Sequence, residues 1–472
     1  MRMYLAGEWS DGAQQEELCS PYSGEVIDTV PVATVDDVDR AIASAARGAA
    51  RQRRTTGHER EAILRRAGDI ADTRVDELAA TISRESGKAI TEARAEASRA
   101  GDLLRLSGFE GSQLYGDSLP LDASAGAGLQ RLGFTLRQPC GVVVAITPFN
   151  YPLLLVLHKI APALAAGNSV VLKPARQTPL TALKLVEILL EAGLAPEAIS
   201  CVTGPGGTLG EALVRDPRVR KISFTGSTAT GEAIAKVAGV KKLSLELGAS
   251  CPVAILPDAD IELAAQAVAL GGYANAGQVC ISVQRVLADR AIVGDFLDAL
   301  VPKVEAIRAG DPASADIGTL ISEREARRVE SALREGTRHN GARLLTGGER
   351  DGAIISPAVV ADVDPDSPLS QDELFGPAVA VTSVADIDAA VRLANATHYG
   401  LGAGIFTGDV ANAVRFAREV DAGNVHINWT PLWRADLMPY GGLKGSGIGK
   451  EGPRSAVEEM TEVKTVVLHG AA

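Results

Sequence analysis

Three short stretches carry a candidate nucleophile, a candidate general base and a candidate oxyanion donor. Cys280 closes Gly277-Gln278-Val279-Cys280, after the Ala-rich segment Ile261 to Ala276 and before the strand-like Ile281 to Val286. A cysteine at such a junction is either a small buried hydrophobe, as most free cysteines are, or an accessible thiol activated for attack. Glu246 stands between two leucines in Leu245-Glu246-Leu247-Gly248. A carboxylate there is costly unless partnered or useful. Partial burial would raise its pKa toward that of a general base; the alternative is a turn cap or an ion pair with Lys241 or Lys242. Asn150 lies in Thr147-Pro148-Phe149-Asn150-Tyr151-Pro152, where a strand ends and a helix begins. Its amide can donate to an oxyanion or simply fill a proline-bounded turn.

Two further stretches suit phosphate or ribose. Phe224-Thr225-Gly226-Ser227 joins a strand to a helix, and free N–H groups at a helix start favour a pyrophosphate. Lys173-Pro174-Ala175-Arg176 follows another strand. Its cations either bind a nucleotide or form a solvated pair. Gly204-Pro205-Gly206-Gly207 matches G-x-G-x-x-G only in part, because Leu209 occupies the last position.

The elements that must position these residues are legible in the patterning. Thr34-Val35-Asp36-Asp37 can form a capping box before an Ala-rich helix. Amphipathic stretches run from about Glu59 to Arg84 and from Ile90 to Phe109, and Gly116 to Gly133 marks a break. Apolar runs then alternate with helices: Gly141 to Ile146, Ser169 to Leu172, Lys221 to Phe224 and Leu243 to Leu245. The helix from Thr178-Pro179 to Gly193 has Thr at its cap, Pro in its first turn and Gly past its end. Such alternation predicts a parallel sheet covered on both faces. Val253 to Leu256 opens a second alternating region that reaches about Pro439, and Val463 to Val467 is a terminal strand.

Composition bounds the rest. The 472 residues are 46% hydrophobic and 22% charged, with a net charge of −12. These values exclude a disordered chain and oppose general nucleic-acid binding. No apolar run of transmembrane length occurs, and the start lacks the apolar core of a signal peptide. The five cysteines (Cys19, Cys140, Cys201, Cys251 and Cys280) are odd in number and scattered, so neither a disulfide framework nor a metal site is expected. A cytoplasmic protein without a membrane partner is the expectation.

In this order, Asn150, Lys173, the Gly226-Ser227 turn, Glu246, Cys280 and Glu373-Leu374-Phe375-Gly376-Pro377 resemble the aldehyde dehydrogenase superfamily over nearly the whole chain. The resemblance implies an α/β fold: a variant doubly wound cofactor domain (1–118 and 139–248), an α/β catalytic domain (249–440) and a small β bridging arm (119–138 and 459–472). It implies a homodimer or homotetramer, because an unpaired arm edge seeks a neighbouring chain. It further implies that Cys280 attacks an aldehyde, that Asn150 and the Cys280 N–H hold the oxyanion, and that Glu246 activates water. Lys173 and Glu373 would hold the two riboses, Ser227 the pyrophosphate, and Phe375 would flank the nicotinamide ribose. Glu246 favours hydrolysis over acyl transfer to coenzyme A.

Two departures stand out. Ala249 replaces the second glycine usual after Gly248. Arg176 stands where many NAD-preferring relatives place Glu; it removes an acceptor and offers a fork for a 2′-phosphate. NADP is therefore expected to be accepted beside NAD, with a preference for NADP as the sharper form of the expectation. The segments Gly277 to Arg285 and Trp433 to Gly442 are similar to the lactaldehyde and phosphonoacetaldehyde branch. Arg105, His158, Arg285 and Arg434 are the candidates for a basic pocket, since arginines grip phosphonate, phosphate, sulfonate or carboxylate through paired donors. Arg285 lies at an odd offset from Cys280 and would point away from it in a strict strand. Trp429 and Trp433 could wall a small site. The expected substrate is a small anionic aldehyde, with lactaldehyde or a broad aliphatic aldehyde as the alternative.

Overall fold

A computed structural model describes residues 1–338 and 341–470. Its mixed α/β architecture rests on two large sheets and a small ribbon. The apolar runs Val142–Ile146 and Ser169–Lys173 are buried almost throughout. With Ile199–Cys201, Val219–Thr225 and Lys242–Glu246 they form the parallel centre of an eight-stranded sheet. The two strands that follow Val142–Ile146 in sequence lie on one side of it, and the next two lie on the other. The order therefore reverses between Val142–Ile146 and Val219–Thr225, and the crevice above such a reversal is where open α/β sheets bind ligands.

Register completes the arrangement. Ile146 pairs with Lys173 and Phe224, and Thr225 pairs with Glu246. Four of the five parallel strands thus end in one row, and the segments carrying Asn150, Arg176, Ser227 and Gly248 emerge along a single edge.

The second sheet has seven strands, centred on Cys251–Ile255, Val283–Asp289 and Ala378–Val384. Only four residues separate Glu246 from Cys251, so one short linker joins the two sheets. The terminal strand Thr461–His469 pairs with Arg131–Pro139, which also takes Ser118–Leu119, in an antiparallel ribbon. The last two residues of the expected arm, 471–472, lie outside the described residues. Residues 441–458, which belong to none of the three expected units, return to the first sheet: Gly447–Ile448 pairs with Leu245 and Glu246, and Pro453–Glu459 packs on Ala100–Ser112 and Leu154–Ala165.

The predicted capping box forms, with Thr34 and Asp37 bonded reciprocally. Both long amphipathic stretches are broken. The first is Gly57–Thr73 and Val75–Ser86; the second is Ile90–Ala97 and Ala100–Ser112. Gly57–Thr73 packs on Ala100–Ser112, whereas Val75–Ser86 packs on Ile90–Ala97. Each stretch must turn to reach two partners. Among the described residues, no helix is long and apolar enough to cross a membrane.

Candidate active site

Cys280 sits on a turn built from left-handed backbone. Asn275, Ala276 and Gly277 have φ of 50°, 53° and 71°. At Gly277 a Cβ would come within 2.0 Å of the Gly376 carbonyl, so the position requires glycine. The strain at Asn275 is held by its surroundings: its N–H donates to Glu92 at 2.7 Å and its amide to the Asn150 carbonyl at 3.0 Å. Gln278 ties the turn to the second half, donating to Thr319 and accepting from the Ile321 N–H at 2.9 Å. Asn150 Nδ2 in turn donates to the Gln278 carbonyl at 2.8 Å. Asn150 and Cys280, far apart in sequence, are therefore locked to one another.

Two cavities meet at Cys280 and Asn150. The larger, about 280 Å³, runs along the crevice of the first sheet past Phe149, Gly226, Ser227, Glu373 and Phe375. Ser227 caps the helix Thr228–Ala238 through the Thr230 N–H, so a helix start opens on this cleft. The Gly226 N–H is committed to the Glu246 carbonyl at 3.0 Å and is not free for a phosphate. Thr225 Oγ1 is buried without a partner in the wall. Glu373 is raised to about 7 by burial, although the Ala249 N–H donates to it at 3.1 Å. Phe375 holds a left-handed φ of 50° and meets Phe149 edge to face. A switch-point crevice with a helix start, an unpartnered hydroxyl and a carboxylate fits a dinucleotide.

Lys173 is buried and donates to the Pro174 carbonyl at 2.8 Å; burial lowers its pKa to about 8. Arg176 lies further out, paired with Glu16 at 2.6 Å on the hairpin strand Gln14–Cys19. Neither residue lines the 280 Å³ cleft.

Glu246 is buried beside the site, and neither carboxylate oxygen has a partner. Burial, and then the nearby Glu451 charge, hold its pKa well above the ordinary range. Enclosure likewise pushes the Cys280 thiol up to about 12, opposed by a hydrogen bond from Tyr440.

The smaller cavity, about 70 Å³, holds Arg99, His158 and Arg434 opposite Cys280. The Arg434 guanidinium lies 3.3 Å from Glu451 and 3.4 Å from His158 Nδ1, and its Nε is buried without a partner. Arg99 grips Asp436 with two nitrogens at 3.2 and 2.5 Å. Burial, and then the Arg434 charge, lower His158, so its ring is neutral near pH 7. Burial alone would raise Asp436, but hydrogen bonds from His158 and Arg99 hold it far below the usual carboxylate range.

Two of the four expected cations do not join this cavity. Arg105 is turned to Asp72 on the neighbouring helix. Arg285 is buried in the second sheet and donates to the Ser250, Leu393 and Ala394 carbonyls. It lines neither cavity at Cys280; Cys280 itself lies in the turn before the strand Val283–Asp289 that carries Arg285. Nor do the tryptophans wall the site: Trp429 packs on the second core and Trp433 is 56% exposed against His426.

Sequence reasoning missed Arg99, Tyr440, Glu96, Asn275 and Gln278. Glu96, fully buried, accepts from the Leu153 and Leu154 N–H groups at 3.0 and 3.1 Å and pairs with Lys88 at 2.5 Å. It thereby caps the helix Leu154–Ala165 that carries His158. An acidic residue inside a short helix gives no local sign of this task. For Gln278, position within the Cys280 tetrapeptide was a usable signal.

The sequence model described as "Aldehyde dehydrogenase family" matches residues 9–466. The chain is 42% identical over 469 residues to a 3-sulfolactaldehyde dehydrogenase of Priestia megaterium, covering 99% of this chain and 98% of that one. It is 37% identical over 473 residues to a lactaldehyde dehydrogenase of Methanococcus vannielii, covering 99% and 100%. Among solved structures, it superposes with a TM-score of 0.97 and 34% identity on the NADP-dependent glyceraldehyde-3-phosphate dehydrogenase of Bacillus halodurans complexed with NADP, covering 100% and 99%.

Proposed function

This chain belongs to the aldehyde dehydrogenase family and is an NAD(P)-dependent enzyme that oxidises aldehydes; from that premise we propose that its substrate is a small anionic aldehyde, converted to the carboxylic acid on Cys280. The observation that carries the reading is the position of Cys280, where the nucleotide-shaped cleft meets a cavity containing Arg99 and Arg434.

In this reading the Cys280 thiolate attacks the carbonyl carbon. The Asn150 amide and the Cys280 N–H stabilise the oxyanion of the thiohemiacetal. Collapse of that oxyanion to a carbonyl would expel hydride from the same carbon to a nicotinamide held in the cleft, leaving a thioester on Cys280. Glu246 then takes a proton from water, which attacks the thioester carbonyl, releases the acid and returns the thiolate. Its raised pKa suits a base working near neutrality, and its buried, unpartnered oxygens are available for that proton. Arg434 and Arg99 hold the anionic tail, and His158, whose one N–H goes to Asp436, supports them. Glu373, Ser227, Phe375 and Lys173 hold the dinucleotide, and Arg176 reaches the 2′-phosphate of NADP after exchanging Glu16 for it.

The name of one relative, 3-sulfolactaldehyde dehydrogenase, supports a sulfonate tail. A specific observation favours a neutral hydroxyaldehyde such as lactaldehyde instead: Arg99 and Arg434 already have carboxylate partners in Asp436 and Glu451. Oxidation rates for sulfonate-, phosphonate-, phosphate- and carboxylate-bearing aldehydes beside lactaldehyde, each with NAD and NADP, decide between them. A kcat/KM highest for lactaldehyde would reject the anionic reading, and full turnover by Cys280→Ser would reject the mechanism.

The ribbon Arg131–Pro139 and Thr461–His469 exposes Leu132, Leu136 and Leu468 on one face and Val463 on the other. We assign it to assembly into a homodimer or homotetramer, which light scattering on the eluting protein measures.

A further inference from the structure

Among the described residues, Tyr440 is the one whose side chain is hydrogen-bonded to the candidate nucleophilic sulfur: its Oη lies 2.9 Å from Cys280 Sγ. The ring is almost fully buried. Its backbone is pinned from both sides, donating to the Glu451 carbonyl at 3.1 Å and accepting from the Glu451 N–H at 2.6 Å. The Arg434 guanidinium carbon stands 3.9 Å from the ring centroid, on the ring face. A hydroxyl so fixed cannot swing away when the sulfur changes charge.

We propose that Tyr440 is a further catalytic residue, whose hydroxyl donates to the Cys280 sulfur and keeps it as the attacking thiolate. The proposal rests on the reading of Cys280 as nucleophile.

The direction of the bond follows from the chemistry. A thiol and a phenol can each donate to the other, but a thiolate has no proton, so only the hydroxyl can donate to it. The contact therefore stabilises the charged sulfur more than the neutral one. The cation over the ring face draws electron density from the phenol and makes it the better donor. The surroundings otherwise oppose ionisation. Burial acts first; Glu373 and Glu246 also disfavour the thiolate, and only Arg434 assists Tyr440. Cys251 and Tyr151 are also close enough to feel the charge on this sulfur. His158 lines the same cavity, but its ring is neutral, so the phenol is the donor in contact with the sulfur.

A donor to the thiolate has two opposite effects on rate. It raises the thiolate fraction about tenfold per unit of pKa, and it lowers the nucleophilicity of each thiolate only about threefold. Near neutral pH, where most of the thiol is protonated, the first effect wins.

The test is the pH profile of Cys280 alkylation by iodoacetamide, read site by site by mass spectrometry in the full-length protein. Tyr440→Phe removes one oxygen and leaves the ring under Arg434. The midpoint should move up by about one to two units, alkylation at pH 7 should slow, and the plateau rate at high pH should hold or rise. Replacing Tyr440 by 3-fluorotyrosine, a stronger donor, should move the midpoint down. An unchanged midpoint in both variants overturns the proposal. That result is separable from failure of the Cys280 reading, which shows instead as full turnover by Cys280→Ser.

Discussion

Glu246 and Glu451 share one buried patch, but only Glu451 has a cation in contact. Lys159 Nζ lies 2.9 Å from Glu451 and Arg434 lies 3.3 Å from it, whereas both oxygens of Glu246 are unpartnered. One carboxylate is therefore held charged and its neighbour is pushed toward the neutral form. Two carboxyl groups in one low-dielectric patch separate their pKa values in this way.

The first prediction follows from that separation. Glu246→Gln should lower kcat by about 100-fold or more, while a first-turnover burst of reduced cofactor survives. In the parent, kcat should rise with pH as Glu246 ionises. The stability effect has the opposite sense. Glu246 has a folded pKa above its unfolded 4.5, so its contribution to stability is present below pH 4.5 and is lost as pH rises toward the folded value. The Gln variant should therefore melt higher than the parent above that pH, with a gap that widens toward neutrality.

Arg434 and Arg105 separate the true cavity from the expected one. Arg434→Met should raise KM for a sulfonate or phosphonate aldehyde by about 10- to 100-fold, the worth of a charged hydrogen bond, and change KM for a neutral aldehyde much less. Arg105→Ala should leave both values unchanged. Equal effects of Arg434→Met on charged and neutral aldehydes would remove the anion pocket.

Arg285→Met is expected to act on stability instead. The guanidinium satisfies three buried carbonyls, and leaving such acceptors unpaired costs about 1–3 kcal/mol each at most. A lower denaturant midpoint with an unchanged substrate KM is the expected result.

Cofactor choice should turn on Arg176 and Glu16. Arg176→Ala should lower kcat/KM for NADP about tenfold and leave that for NAD within a factor of two or so. A parent kcat/KM strongly in favour of NAD would show that Arg176 stays with Glu16.

Glu96 should be the most sensitive position away from the reacting atoms. Glu96→Ala leaves Lys88 buried without its partner and two N–H groups of the helix start unmet, at a cost of about 3–5 kcal/mol. Chemical denaturation measures it, and Glu96→Gln, which keeps an acceptor, should lose less.

Much of this molecule was decided locally and could be read from the chain. Strand runs such as Val142 to Ile146, the Thr34–Asp37 capping box and the order of Asn150, Glu246 and Cys280 depend on neighbours a few residues away. Period and capping chemistry act at that range. What only the tertiary structure decided are relations across long separations: Tyr440 against Cys280, Glu451 against Glu246, and Arg99 rather than Arg105 in the cavity. Arg99 and Arg105 differ by six residues, which on a helix at 3.6 residues per turn places them about 120° apart. One faces the site and the other a neighbouring helix. No local pattern reports which face will be covered, because that depends on where the rest of the chain packs.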